Sequence, residues 1–277
     1  MGFFDTVGSA LAAAWDAVTS LFSDKNVGST TVECPAGEVK EEDIPEECAY
    51  LKKGQLVSGT EEQFSRGRKE AKIKKPGKAI KHSFPGDDEP QDATEYEVEV
   101  DGKKIKVIMP VADPAEAGTQ LPSIDEVGKG LGAVPTGQLS TVKQVVVSPN
   151  RNPKDAHWAT KYDSPGFRSA ATGGSGGVTM YPTPHKLAQS RIDSNLIHEG
   201  GHTYQSEIWK DAKTKEAWAE ARKKDKLSPS TYADKSVGED MSESLVMYSL
   251  SKGTKCEATA KKMFPNRYAE LDKLMKK

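Results

Sequence analysis

The chain has 277 residues, with 39 basic and 41 acidic side chains and a formal net charge of −2. That balance gives no electrostatic pull toward a polyanion, so a nucleic-acid partner is not expected. No run approaches 18 apolar residues, so no transmembrane helix is expected and the chain reads as soluble, long enough for one large domain or two modest ones.

In residues 1–24 the side chains Phe4, Val7, Leu11, Trp15, Val18 and Phe22 recur at spacings of three and four, the stripe of an amphipathic helix. Such a helix either packs on its own protein or is a docking or translocation segment whose apolar face meets a partner or lipid. No Lys or Arg precedes Lys25, and Asp5 and Asp16 interrupt the tract, which argues against a cleavable signal peptide. Secretion or delivery into a target cell would need another route.

Residues 25–104 read as an accessory or linker region: acidic EVKEEDIPEE, basic RGRKEAKIKKPGKAIKH, then turn-rich SFPGDDEPQD. The basic run reads as a solvated face. EYEVEVDGKKIKVIMP alternates around Asp101-Gly102, a pair suited to a type I′ turn, and predicts a β-hairpin that begins in this region. Three cysteines, Cys34, Cys48 and Cys256, lack the spacing of a structural zinc site. Cys34, in ECPAG, is read as bridged to Cys48 or free, with a metal-capping thiolate as the lesser alternative.

Residues 105–277 carry a mixed α/β pattern. LPSIDEVGKGLGAV predicts a short helix, TVKQVVVSP a buried strand, and GVTMYP a strand after the glycine-rich ATGGSGG. Thr183-Pro184 offers an N-cap and a first-turn proline for a long helix running through LIHEGGHTYQSEIW. Helices follow in KDAKTKEAWAEARKKDK, SVGEDMSESLVMYSL, KCEATAKKMF and NRYAELDKLMKK, the last two separated at Pro265.

On a helix His198 and His202 project from one face, at a spacing that lets two imidazoles reach one ion. With Glu199 they form HExxH, the zinc-metallopeptidase signature, in which the glutamate moves the proton of the attacking water to the leaving amine. Each of the adjacent Gly200 and Gly201 costs about 0.5–1 kcal/mol in a helix interior, and close approach of another backbone would account for them. A catalytic site needs a third protein ligand. His82, His157 and His185 all precede the motif and none follows it. Cys256 is possible, but a carboxylate from GEDMSES is the commoner solution; Glu239 is the choice, with Glu243 one turn later placed to accept a hydrogen bond from a ligand histidine.

HEGGH followed by SPSTYADKSVGEDMSES resembles the gluzincins of the anthrax lethal factor catalytic-domain type, in which a tyrosine precedes the glutamate ligand by seven residues, as Tyr232 precedes Glu239. The resemblance covers roughly residues 105–270 and includes a closing segment, MFPNRYAELDKL, of a kind seen in related bacterial metallopeptidase toxins and type VI secretion effectors. It departs from that pattern at Gly200, where a bulkier residue often stands, and at GEDMSES, where the family more often has Glu-Phe-Ala-Glu. It implies an α+β, zincin-like metallopeptidase domain with a small mixed sheet, an active-site helix and a helical C-terminal part. It also implies Zn2+ held by His198, His202 and Glu239, Glu199 as general base, Tyr232 as oxyanion donor, and a protein or peptide substrate lying along GVTMYP as an edge strand. The competing expectation is a non-catalytic adaptor whose metal site is structural. An open coordination position favours the enzyme and a closed one the adaptor.

Overall fold

A computed structural model of the protein describes residues 39–161, 163–225 and 227–275. The helix expected over 1–24, and Cys34, lie outside the described residues.

A mixed sheet is built on the hairpin of β3 (Gln91–Val100) and β4 (Lys103–Pro110). Asp101 and Gly102 both take positive φ, 51° and 71°, the type I′ geometry whose twist matches that of the flanking strands. Two short strands, β1 (Ala71–Ile73) and β2 (Lys78–His82), pair antiparallel with successive stretches of β3. These strands occupy part of the region expected to be accessory structure or linker. They are short, and Lys72, Lys78 and Lys81 are exposed, so they carry no periodic signal; charge on an outer strand also disfavours pairing with another chain.

On the other side β4 pairs parallel with β5 (Gln144–Val147), β5 parallel with β7 (Gly177–Met180), and β7 antiparallel with β6 (Ala171–Gly174). The strand expected at the substrate edge, within GVTMYP, is therefore interior. The edge is the glycine-bearing β6, which among the described residues pairs with β7 alone.

Along the chain the helices are α1 (Glu61–Ser65), α2 (Ile124–Ala133), α3 (Thr136–Leu139), α4 (Asp155–Lys161), α5 (Gln189–Ile208), α6 (Ala212–Asp225), α7 (Val237–Ser251), α8 (Glu257–Met263) and α9 (Pro265–Leu274). α2 starts at a capping box in which Ser123 Oγ accepts from Glu126 N while the Glu126 carboxylate accepts from Ser123 N. The main core joins Val98, Val100, Ile105 and Val107 of the hairpin, and Val145 and Val178 beside it, to Leu131 of α2, Ile197 of α5 and Leu245 of α7. Phe84, Ala93, Ile108 and Val146 form a smaller cluster.

α5 begins at Gln189, five residues beyond the predicted Pro184. Thr183 is instead held extended by reciprocal backbone bonds with Gln120, and its hydroxyl donates to the His185 carbonyl. A proline can follow an N-cap only where the chain is free to turn there. Cys48 is bonded to Cys256, 208 positions away, which excludes the bridge to Cys34, one of the readings of that cysteine from sequence, and Cys256 is not available as a metal ligand. Among the described residues no helix is long and apolar enough to cross a membrane.

Candidate metal centre

The helical pitch of α5 sets His198 and His202 edge to face, with ring centroids 5.1 Å apart. α7 presents the third side chain. Its N-cap Ser236 accepts from the Glu239 backbone N–H at 3.0 Å, which places Glu239 in the first turn, where the helix dipole favours a carboxylate. Glu239 Oε2 lies 3.1 Å from His198 Nε2 and 3.2 Å from His202 Nε2. All three ligand atoms fall within 4.8 Å of one another. An ion with tetrahedral bonds of about 2.0–2.1 Å keeps its ligand atoms about 3.3 Å apart, so the two measured edges fit such an ion. Among the described residues this group of three can hold a metal ion; His82, His157 and His185 are not part of it.

Glu243, one turn further along α7, lies against the other face of His198, with Oε1 2.8 Å from Nδ1. Its second oxygen accepts from the Ser230 hydroxyl and the Val57 backbone N–H, both at 2.7 Å. A carboxylate on Nδ1 fixes the ring orientation and leaves Nε2 for the ion. Burial alone would lower the pKa of His198, but Glu239 and Glu243 on its two nitrogens outweigh burial and push it up to about 10. Burial likewise works against charge on Glu239, yet His198 and His202 hold its pKa well below the usual carboxylate range.

The glycines beside the histidines have separate uses. A Cβ on Gly201 would stand 2.7 Å from Ser242 Oγ and 3.1 Å from Ser242 Cα, so the close backbone approach expected from sequence is that of α7. At Gly200 the neighbour is a side chain instead: a Cβ would meet Gln138 Nε2 at 2.8 Å, and that buried amide donates to the Ile197 carbonyl. The closest approach comes from a glycine of the ATGGSGG stretch. A Cβ on Gly173 of β6 would lie 2.0 Å from the Glu199 carbonyl oxygen, so the edge strand rests directly on the helix at Glu199.

The Tyr232 ring centroid is 5.8 Å from that of His198, and the Tyr232 backbone N–H donates to the Gln55 carbonyl at 3.0 Å. Tyr181 lies near Glu199: burial, with the Glu199 charge among the smaller causes, raises the pKa of its phenol, which hydrogen-bonds with Thr172 Oγ1 at 3.1 Å. Sequence reasoning passed over Tyr181. It also missed Arg267, in the closing segment, which pairs through Nη2 at 2.7 Å and Nε at 3.0 Å with Asp240, the neighbour of Glu239, and through Nη1 at 3.3 Å with Asp225 of α6. Only the closing segment's resemblance pointed to that region.

Comparison with known proteins finds no matching family model, no matching curated protein and no matching solved structure.

Proposed function

We propose that the chain is a zinc-dependent endopeptidase of the gluzincin type. The observation that carries this reading is the set of three convergent protein ligands, His198, His202 and Glu239, backed by Glu243. Catalytic zinc sites have three protein ligands and an open position, whereas structural sites are closed by four. Bound there, zinc would supply an acidified water and a Lewis acid for a peptide carbonyl.

The remaining chemistry falls to the chain. Glu199, beside the ligands on α5, takes a proton from the attacking water and delivers it to the leaving amine. The Tyr232 hydroxyl donates to the developing oxyanion. The outer edge of β6, which among the described residues pairs with no further strand and lies against α5 at Glu199, offers backbone groups to an extended peptide, in keeping with its two glycines beside the motif. Zinc as the metal, peptide as the substrate and a role as a delivered bacterial toxin or effector rest on HEGGH and on the resemblance of residues 105–270. Contact with a secretion apparatus, chaperone or immunity protein is assigned to residues 1–24.

Purified protein is expected to carry about one zinc per chain and to cleave unfolded polypeptides. Glu199→Gln should keep the zinc and lose cleavage, which metal analysis and a peptide-library digest read separately. Zinc retained by a wild-type chain that cleaves nothing would make the site structural.

A further inference from the structure

Residues 53–57 reach the site from far upstream: Val57 and the Glu243 it meets on α7 are 186 positions apart. The stretch bends at Gln55 and Leu56 and forms a parallel bridge between Gly54 and Ser230. Its backbone contacts fall on the groups that surround the ligands. The Gly54 carbonyl accepts from Thr231 N at 2.9 Å, the Gln55 carbonyl from Tyr232 N at 3.0 Å, and Val57 N donates to Glu243 Oε2 at 2.7 Å. Lys53 Nζ adds an ion pair to Asp234 at 2.8 Å.

The stretch is anchored on both sides. Upstream, Cys48 sits in the 3-10 helix Glu46–Leu51, is 1% exposed, and is bonded to Cys256 at the start of α8, which follows α7. Downstream, Thr60 and Gln63 form a capping box on α1, and Gln63 Nε2 reaches back to the Glu47 carbonyl at 2.8 Å. The disulfide is therefore the covalent tie between this stretch and the helices that carry the site.

We propose that residues 53–57 are a positioning strap for the metal centre and that the Cys48–Cys256 disulfide is its latch. With the latch closed, the Val57 amide holds Glu243 and Glu243 holds the His198 ring. With the latch open, the amide is free to leave, Glu243 loses one of its two donors outside the histidine, and the ring is no longer fixed. Opening is a two-electron exchange: a dithiol reductant is oxidised to its cyclic disulfide, and the Cys48–Cys256 bond takes up two electrons and two protons to become two thiols. The site would then be tight in an oxidising compartment and loose in a reducing one. The inference rests on the metal site described above and not on peptide hydrolysis.

The test uses the full chain and measures zinc affinity by chelator competition, together with the visible spectrum of the cobalt-substituted protein, which reports ligand geometry. Cys48→Ser/Cys256→Ser opens the latch without a metal-binding reductant. It is expected to bind zinc about 10–100-fold more weakly than wild type and to shift the cobalt bands, the usual scale for losing support behind a ligand histidine. Should that variant fail to melt cooperatively, a second pair decides with the disulfide intact. Val57→Pro and Val57→Ala both lose the valine side chain, but only proline removes the N–H. The proline variant is expected to bind zinc 10–100-fold more weakly than the alanine one. Equal affinity in that pair, or a folded double-serine variant with wild-type affinity and cobalt spectrum, would overturn the strap while leaving the zinc reading in place. A wild-type chain that binds no zinc would overturn both.

Discussion

Two carboxylates four residues apart on α7 meet the same imidazole and do different work because of what else each one touches. Glu239 reaches both Nε2 atoms and faces the ion position. Glu243 is 1% exposed and spends its second oxygen on Ser230 and Val57, so it has no capacity left for a metal. Glu239→Ala is therefore expected to cost more zinc affinity than Glu243→Ala, for which a 10–100-fold loss is the usual scale. Isothermal titration of the two metal-free variants reads the order directly, and a larger loss in Glu243→Ala would exchange the roles. Serine at 230 has a comparable place: it donates to Glu243 and accepts from Ala233 N at 3.0 Å, tying the turn that carries Tyr232 to the support of His198.

At the scale of elements, Arg267 ties α7 to α6 and to its own helix α9, behind the turn of α7 that carries Glu239. Arg267 is 1% exposed, and its guanidinium spans Asp240 on α7, Asp225 on α6 and the Leu227 carbonyl. Removing the guanidinium leaves the buried Asp240 with only the longer Arg222 contact at 3.5 Å, so Arg267→Ala is expected to destabilise the fold by about 3–5 kcal/mol in urea or thermal unfolding. Its zinc affinity should fall as well, because Asp240 adjoins Glu239. A loss under 1 kcal/mol would show that water replaces the guanidinium.

The elements that were legible in the sequence are those specified locally. Asp101-Gly102 dictates its own turn, and the long helix through HEGGH, the helix through GEDMSES and the break at Pro265 follow from periodicity and proline chemistry. What was not legible depends on distant partners. Thr183-Pro184 has the local chemistry of a helix start but is claimed by Gln120. β6 has almost no side chains to show a period, and its place at the sheet edge is set by how β7 and α5 pack. In the site, His198, His202 and Glu239 could be chosen from ligand chemistry, while Val57 and Arg267 act across 186 and 27 positions and have no local signature. The choice of Cys256 as the partner of Cys48 is likewise a property of the folded chain.

At the scale of the whole molecule the candidate metal centre would, with an ion bound, also be a cross-link, joining α5 to α7 as the disulfide joins the 3-10 helix Glu46–Leu51 to the start of α8. A loop of about 200 residues closed by a disulfide is worth about 5 kcal/mol on chain-entropy grounds, so the covalent tie is strong and insensitive to pH. The metal-site tie depends on protons. Without an ion, His198 has a pKa of about 10 in the fold, against about 6.5 when the chain is unfolded. The native state therefore binds the proton more tightly, and the stability this contributes is fully present below pH 6.5 and is lost as pH rises through about 10. An ion on Nε2 takes the place of that proton, so zinc binding below pH 10 releases protons and zinc affinity rises with pH. The metal-free protein is thus expected to show a Tm that declines from pH 6.5 to 10. The zinc-loaded protein should decline less over the same window, since its cross-link no longer rests on a protonated imidazole and bound ligand stabilises by mass action. Calorimetry of both forms across the window checks this, and parallel declines would mean that the proton on His198 contributes nothing to holding the two helices together.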